Sequence, residues 1–406
     1  MQIGFVNFNQ EEKQRIAKMM QMLQESEAIE ELGIGRVRDH FSNTLFPGTS
    51  TLQHHAKYFA ILPSLYYHTA FKSRKFQNIS EVRRYIKDAE IQITRQLAHW
   101  KNGASHTNAT GITGINTLHD ALKDYRKYVK YDPTYIYGSG LARYGIIPDT
   151  GIERLILELN KKHFENPHTN KSLKNNDSSE DSDDLTGERQ LIKTCGETYD
   201  FFNGLEMDLS LSYKEATFLK DRIHATCTGS MLDYLINSRF EIPGNIKYFQ
   251  LQEILANLSS DVVEIYNKSM LFSKLMHLVD WRFNYCYYAS FSKSEDAKRC
   301  EDEYAKFLIE YQADILNRNA YHALFNYTRS IDSGLTGFCE NCYNAIITDD
   351  LRELDKLIRD REQFVKRDRS KIGNPAYREQ RRINPPPNTF RWETVRTMVN
   401  EIRKPQ

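Results

Sequence analysis

Two apolar segments joined by a Pro-Gly turn constrain the fold more than any other feature of this sequence. Residues 33–71 read GIGRVRDHFSNTLFPGTSTLQHHAKYFAILPSLYYHTAF. Apolar residues recur at helical spacing on both sides of Pro47–Gly48, which predicts two helices joined by a tight turn. The hydroxyl side chains of residues 49–51 follow the turn directly, and such side chains cap helix N-termini. We therefore expect the second helix to begin near residues 49–51.

Helical spacing continues through most of the chain. Ser80 precedes one such stretch as a candidate cap, and Ser212 with Glu215 has the spacing of a capping box. Strand-like alternation is rare, and residues 3–8 are the candidate for a short strand. The sequence thus predicts a mainly α, multi-helical fold with at most a few short strands. The other stretches with helical spacing are residues 10–23, 81–100, 118–131, 133–144, 213–225, 246–290, 296–331 and 389–403.

The length of 406 residues favours two domains, because a single core seldom grows this large. Residues 165–190 have almost no apolar side chain and carry an acidic cluster, which predicts a polar linker or loop. This break predicts an N-terminal helical domain over residues 1–164 and a C-terminal helical domain over residues 191–345. Residues 346–406 would be a basic, proline-containing tail whose last helix docks back on the body.

Composition limits the function classes. The 55 basic residues nearly balance the 54 acidic ones, so any basic surface must be local. The sequence has no apolar run of about 18 residues, which argues against a membrane-spanning helix. Its N-terminus does not resemble a signal peptide. Six cysteines are too few for a disulfide framework, so we expect a cytoplasmic protein without membrane contact.

Basic and tyrosine residues alternate in residues 123–144. On a continuous helix the basic residues of this segment would share one face, and the helix that starts at Pro133 would complete an outline like a helix-turn-helix. Such a strip can hold phosphates while tyrosine rings stack on bases. A solvated helix face over a tyrosine-rich core is the more common alternative, and residues 359–382 are a second basic candidate. The predicted phosphate contacts are Arg36, Arg38, Lys123, Arg126, Lys127, Lys130 and Arg143.

Motifs that would carry chemistry are weak. Cys339 and Cys342 have a zinc-like spacing, but no second pair of ligands lies nearby, and two ordinary thiols are the better interpretation. The adjacent His54 and His55 would point apart on a helix. The Gly- and Thr-rich loop over residues 103–117 lacks the lysine of a phosphate-binding P-loop. The sequence therefore predicts no catalytic residue, no metal ligand and no cofactor.

Three blocks of the sequence resemble a bacterial family known as domain of unknown function 6361. The blocks are GIGRVRDHFSNTLFPGTSTLQHHAKYF, DPTYIYGSGLARYGI and the closing FRWETVRTMV. The resemblance implies a setting in anti-phage gene neighbourhoods, beside helicases and phospholipase-D-like proteins, but no catalytic residues. This chain has Tyr137 and Tyr144 where the family leads us to expect tryptophan.

These observations lead to three hypotheses. The first is a non-catalytic subunit of a bacterial anti-phage complex that binds nucleic acid, a helicase or phospholipase-D-like nuclease partner, or both. The second is an enzyme, either a nuclease or a nucleotide hydrolase, whose site forms only in the fold. The third is a protein–protein adaptor that uses the aromatic residues 281–291.

Overall fold

A computed structural model describes residues 31–107, 110–165, 191–204, 206–239, 241–255, 258–382 and 384–406. Over these residues the secondary structure is helical, apart from an isolated bridge between Lys101 and Ala104. The prediction of a mainly α, multi-helical fold is confirmed. The expected strand at residues 3–8, the helix at 10–23 and nearly all of the acidic segment lie outside the described residues.

The helices are numbered here in chain order over the described residues. They are α1 (Gly35–Leu45), α2 (Tyr58–Phe71), α3 (Ile79–Leu97), α4 (Leu118–Ala121), α5 (Pro133–Arg143), α6 (Ile152–Glu165), α7 (Tyr213–Cys227), α8 (Met231–Asn237), α9 (Ser260–Ser290), α10 (Ser294–Glu310), α11 (Gln312–Ile315), α12 (Arg318–Arg329), α13 (Ser333–Ile347), α14 (Leu351–Lys366) and α15 (Trp392–Arg403). Short 3-10 turns cover Ile115–Thr117, Tyr125–Lys127, Tyr248–Ile254, Arg367–Arg369 and Pro375–Tyr377. No described helix combines the length and the apolar character that crossing a membrane requires.

The chain divides into two units, each made of segments distant in sequence. Unit 1 contains the chain up to Phe41 together with residues 264–390. Unit 2 contains residues 42–263 together with residues 391–406. The boundaries predicted near residues 165–190 and 345 follow local composition, whereas these two units are defined by contacts between distant segments.

Unit 2 is arranged around α2. Nearly every residue of α2 is buried, as expected for a helix that is apolar on all sides. It packs against α3, α5, α6 and α7. Asn160 of α6 connects the end of α2 with the segment that follows it. Its Oδ1 accepts from the Phe76 amide at 2.9 Å, and its Nδ2 donates to the Ala70 carbonyl at 3.1 Å.

Helix α5 is fixed at both ends. Asp132 caps its first turn by accepting from the Tyr135 amide at 2.9 Å. Beneath that turn, the buried Glu90 accepts from the amide and the hydroxyl of Thr134, both at 2.7 Å. Burial raises the pKa of Glu90 well above its usual range. Gly145 follows the last turn with a φ of 59°, in the left-handed region where glycine commonly ends a helix.

The last helix, α15, packs against α7 and α8 in unit 2. Its apolar face is buried, and the Trp392 indole donates to the Ile246 carbonyl at 2.9 Å. Phe46, which precedes the Pro-Gly turn, lies 5.7 Å from the Trp392 ring between centroids. The C-terminal block that contains Trp392 therefore packs against the segment that leads into the Pro47–Gly48 turn.

Unit 1 contains most of α9 and the consecutive helices α10 to α14. Helix α13 packs on both α12 and α14. Arg282 of α9 is buried and forms a bidentate ion pair with Asp355 of α14, with Nε–Oδ1 at 2.9 Å and Nη2–Oδ2 at 2.5 Å. His277 of α9 lies 3.0 Å from the Trp281 indole nitrogen and 2.9 Å from the Tyr311 hydroxyl.

Several helix boundaries differ from the sequence prediction, and the stretch 296–331 is divided into α10, α11 and α12. Helix α2 begins at Tyr58 and not near residues 49–51, because the Thr49 hydroxyl donates back to the Phe46 carbonyl within the turn. Asn78, not Ser80, caps α3 by accepting from the Glu81 amide at 3.0 Å. The stretch 246–290 is interrupted between its 3-10 turn and α9. In contrast, Ser212 and Glu215 form the predicted capping box.

Candidate nucleic-acid interface

The predicted basic helix over residues 118–131 does not form. Only α4 is helical there, and a 3-10 turn at Tyr125–Lys127 follows after a break. Asp124 starts that turn by accepting from the Arg126 amide at 3.1 Å. The basic residues therefore do not share one helix face, and the segment with α5 is not a helix-turn-helix in the predicted sense.

Tertiary contacts explain why the segment leaves the helical path. The Tyr128 ring is buried, and its hydroxyl lies 2.7 Å from the Thr94 hydroxyl of α3. Gly114 faces this ring so closely that an added Cβ would lie 2.3 Å from it, and its φ is 85°. On the other side, the Arg84 guanidinium lies 5.1 Å from the centre of the Tyr125 ring. The segment is thus held against α3 as an ordered loop.

This loop carries exposed lysines and leads into a pair of stacked tyrosines. Tyr131 and Tyr135 have ring centroids 5.0 Å apart and an interplanar angle of 30°. They are unusually exposed for large side chains, at 37% and 50%. Lys123, Lys127 and Lys130 are exposed in the same segment, and the Lys130 ammonium lies 5.6 Å from the Tyr131 ring centre. We call these five residues the basic–aromatic surface.

Arg126 and Lys123 each contact another side chain of the same segment. Arg126 forms a two-point ion pair with Asp124, at 2.9 Å and 3.0 Å. The Arg126 side chain, followed by its amide, lowers the pKa of Asp124 below its usual range. Lys123 donates to Nε2 of His119 at 2.8 Å. Because a neutral imidazole leaves the lysine charge uncompensated whereas a carboxylate does not, Lys123 remains a candidate and Arg126 is a weaker one.

The seven predicted residues are divided between the two units. Arg36 and Arg38 belong to unit 1. Arg36 is exposed and lies 3.6 Å from Asp332, whereas Arg38 lies 3.4 Å from its neighbour Asp39. The five others belong to unit 2, and four of them lie in the loop between α4 and α5.

Arg143, the fifth, lies at the end of α5 beside a cleft of about 360 Å³. We call this the Arg143 cleft. Arg391 Nη1 donates to the Asn43 side chain and to the Thr49 carbonyl, both at 2.7 Å. The residues that line the cleft are Asn43, Pro47, Gly48, Thr49, Ser139 and Arg143.

The Arg143 cleft brings together the sequence blocks that carry the family resemblance. Its lining comes from the blocks around Pro47–Gly48 and around Ser139, and Arg391 of the closing block holds the turn. A family model matches residues 1–315 and is described as a family of unknown function, DUF6361. This chain belongs to that family. No curated protein and no solved structure matches the chain.

In this DUF6361 protein, the two tyrosines that stand in place of the expected tryptophans are core residues. Tyr137 and Tyr144 are fully buried and both pack on Phe59. The distance between ring centroids is 5.0 Å for Tyr137 and 5.1 Å for Tyr144. The Tyr137 hydroxyl accepts from the His55 amide at 3.2 Å. Burial raises the pKa of Tyr137 well above its usual range. Both rings therefore support α5 beneath the cleft.

The CxxC motif of the DUF6361 chain lies within α13. Both thiols are buried, and burial raises the pKa of Cys339 to about 12. The Cys339 sulfur contacts the Met276 sulfur at 3.8 Å. Within the described ranges, no group of three or more His, Cys, Asp or Glu side chains has a geometry that could hold a metal ion.

Other chemistry-like motifs have structural contacts. His55 lies 2.7 Å from Glu401 of α15, and the second oxygen of Glu401 accepts from the Ala56 amide at 2.6 Å. In the Gly-rich loop, a Cβ on Gly111 would lie 2.7 Å from His54. The glycine there provides space for a neighbouring side chain.

Sequence reasoning missed a second arginine-lined surface, which lies in unit 1. Arg299 of α10 lines the same cleft as Arg381 and Arg382, which are more than 80 residues later in the chain. Residues 359–382 were a basic candidate in the sequence, but no local signal connects them with α10. Within the aromatic residues 281–291, Trp281 and Tyr287 are buried, so their side chains do not form an exposed adaptor surface.

Proposed function

We propose that this DUF6361 protein is a non-catalytic, cytoplasmic subunit of a bacterial anti-phage complex that binds single-stranded nucleic acid. The observation that carries the proposal is the basic–aromatic surface, where Lys130 lies next to one of two exposed, stacked tyrosines and the exposed Lys123 and Lys127 precede them in the same segment.

The chemistry of this surface favours unpaired bases over a duplex. Exposed aromatic rings stack on bases of any sequence, at about 1–3 kcal/mol per base, but a base within a duplex is already stacked. Lysines contact phosphates as flexible point charges and add affinity that depends on salt. A loop anchored by Tyr128 presents both groups without a large ordering cost on binding.

The defence setting is supported by the family, not by the site. Resemblance to DUF6361 implies gene neighbourhoods with helicases and phospholipase-D-like proteins. We propose that such a protein is the partner, and that this subunit holds a strand for it. An enzyme, either a nuclease or a nucleotide hydrolase, remains the alternative.

A direct test measures the anisotropy of fluorescein-labelled oligo(dT) and of a labelled duplex against the purified protein. We expect tighter binding of the single strand. Tyr131→Ala with Tyr135→Ala should weaken it roughly 5- to 100-fold if one base stacks on the pair. Lys127→Glu with Lys130→Glu should also weaken it.

The matched control changes two exposed lysines of the same unit that lie outside the surface, Lys214→Glu and Lys247→Glu. This variant has the same net charge as the surface variant, so it measures the general electrostatic effect. Equal losses in the two charge variants would contradict the proposal, as would equal affinity for the duplex. Cleavage of the oligonucleotide by wild-type protein would favour the enzyme alternative.

A further inference from the structure

Unit 1 contains a cleft of about 470 Å³ that is lined by arginine and asparagine side chains. Arg299 comes from α10, whereas Arg381, Arg382 and Asn384 come from the segment that precedes α15. We call it the arginine cleft. Three guanidinium groups around one opening repel one another unless an anion or a carboxylate lies between them.

One of the three arginines is held rigidly in place. The Arg382 Nη1 donates to Glu31 at 2.8 Å, and its Nε donates to the Asn284 side chain at 3.1 Å. Its guanidinium also lies 4.9 Å from the centre of the Phe283 ring. Among the described residues, its Nη2 makes no hydrogen bond. An arginine fixed by its neighbours loses little entropy when it binds an anion.

The carboxylate beside Arg382 also contacts a second cation. Glu31 is shared between Arg382 and Lys371, each at 2.8 Å. Although burial opposes ionisation, these two cations lower the pKa of Glu31 to about 2. Arg382 and Lys371 are therefore two cations that contact the same carboxylate.

The two remaining arginines reach toward solvent. Arg381 is exposed and has no ion-pair or hydrogen-bond partner among the described residues. Arg299 is about half exposed, and its nearest carboxylate oxygen, on Asp296, is 3.7 Å away. At that distance in solvent the ion pair contributes little, so both guanidinium groups are available to a ligand.

The chain that carries Arg381 and Arg382 is fixed to α9. The Tyr287 hydroxyl lies 2.7 Å from the Gln380 carbonyl, and the Arg382 amide donates to the Tyr288 hydroxyl at 3.1 Å. Both tyrosine rings are buried. The positions of the two arginine backbones are thus set by the core of unit 1.

We propose that the arginine cleft is a binding site for an oligophosphate, meaning two or three linked phosphate groups. Planar guanidinium groups bind phosphate oxygens in pairs, and three of them exceed what a single carboxylate can satisfy. The cleft has the size of a small-ligand site. Among the described residues, the lining includes no aromatic or aliphatic side chain that would hold a base, so we expect recognition to be directed at the phosphates. This site is separate from the basic–aromatic surface of unit 2.

Isothermal titration calorimetry of the full chain with sodium tripolyphosphate, ATP and inorganic phosphate tests this proposal. We expect tripolyphosphate and ATP to bind with similar affinity and inorganic phosphate to bind more weakly. Arg381→Ala and Arg299→Ala should each reduce the tripolyphosphate affinity roughly 10- to 100-fold, since each removes a charge-assisted hydrogen bond.

Arg378→Ala is the matched control, because this exposed arginine lies in the same segment but does not line the cleft. It should leave the tripolyphosphate affinity within about twofold of wild type. Circular dichroism should show all three variants folded, as their side chains are exposed. The proposal is overturned if tripolyphosphate does not bind, if inorganic phosphate binds equally well, or if Arg378→Ala weakens binding as much as Arg381→Ala does.

Discussion

Replacing Gly140 with alanine tests the packing beneath the Arg143 cleft. A Cβ at this position of α5 would lie 2.4 Å from the Gly48 carbonyl oxygen and 2.7 Å from the Phe59 ring. Neither group can move easily, because one is backbone and the other is buried in the core. Gly138 is in the same helix, but a Cβ there would meet no atom within 4 Å. The two glycines therefore form a matched pair.

The magnitude follows from two opposing contributions. Alanine stabilises a helix interior by roughly 0.5–1 kcal/mol relative to glycine, and this contribution is common to both variants. Overpacking of a close-packed site costs about 1–3 kcal/mol, and a contact with backbone oxygen places Gly140→Ala at the upper end of that range. Gly138→Ala should thus be slightly more stable than wild type. Gly140→Ala should be less stable than Gly138→Ala by about 3 kcal/mol.

Urea unfolding followed by circular dichroism gives the comparison, and hydrogen exchange of the α5 amides localises the effect to unit 2. We expect faster exchange in α5 for Gly140→Ala and unchanged or slower exchange for Gly138→Ala. Equal stability of the two variants would refute the close approach of α5 to the Pro-Gly turn, and with it the geometry of the Arg143 cleft.

Three other changes test the core of each unit. Lys57→Met should destabilise unit 2 by about 3–5 kcal/mol in urea unfolding, because it removes the cation that lies 2.8 Å from the buried Glu215 carboxylate. Adding Glu215→Gln should restore part of the loss; an unchanged midpoint for Lys57→Met, or no recovery in the double variant, would count against this pair. Met398→Ala should cost about 2–5 kcal/mol in the same assay, since Met398 is buried, and a smaller loss would mean that α15 is loosely packed. Burial lowers the pKa of His277 to about 4, so as the pH falls below 6.5 the histidine is protonated in the unfolded chain before it is protonated in the folded chain. The free energy of unfolding in urea should therefore decline from pH 6.5 toward pH 4 more steeply in wild type than in His277→Gln. Parallel pH profiles of the two proteins would contradict the lowered pKa of His277.

Features that depend on neighbouring residues could be predicted from the sequence. Ser212 and Glu215 form their capping box, Gly145 ends α5 in the left-handed region, and the face of α15 that contains Val395 and Ile402 is buried. Each depends on the spacing of a few residues along one helix. The family resemblance is likewise confirmed, since it rests on contiguous blocks.

Features that depend on distant contacts could not be predicted. The spacing of residues 118–131 fits a helix, but the Tyr128 ring packs against Gly114 and its hydroxyl contacts the Thr94 hydroxyl. These tertiary contacts are incompatible with a continuous helix and override the local preference. Likewise, no spacing rule connects Arg299 with Arg381. The alternation of basic and tyrosine residues in the sequence indicates the candidate lysines, whereas the stacking of Tyr131 and Tyr135 is set by tertiary structure.

The most direct test of the nucleic-acid proposal is the salt dependence of oligo(dT) binding. If Lys123, Lys127 and Lys130 each neutralise one phosphate, the logarithm of the association constant should fall against the logarithm of salt concentration with a slope of about 2, at roughly 0.7 per phosphate on a single strand. Lys127→Glu with Lys130→Glu should reduce the slope by at least about 1.4. A wild-type slope near zero, or the same slope in this variant, would contradict the account.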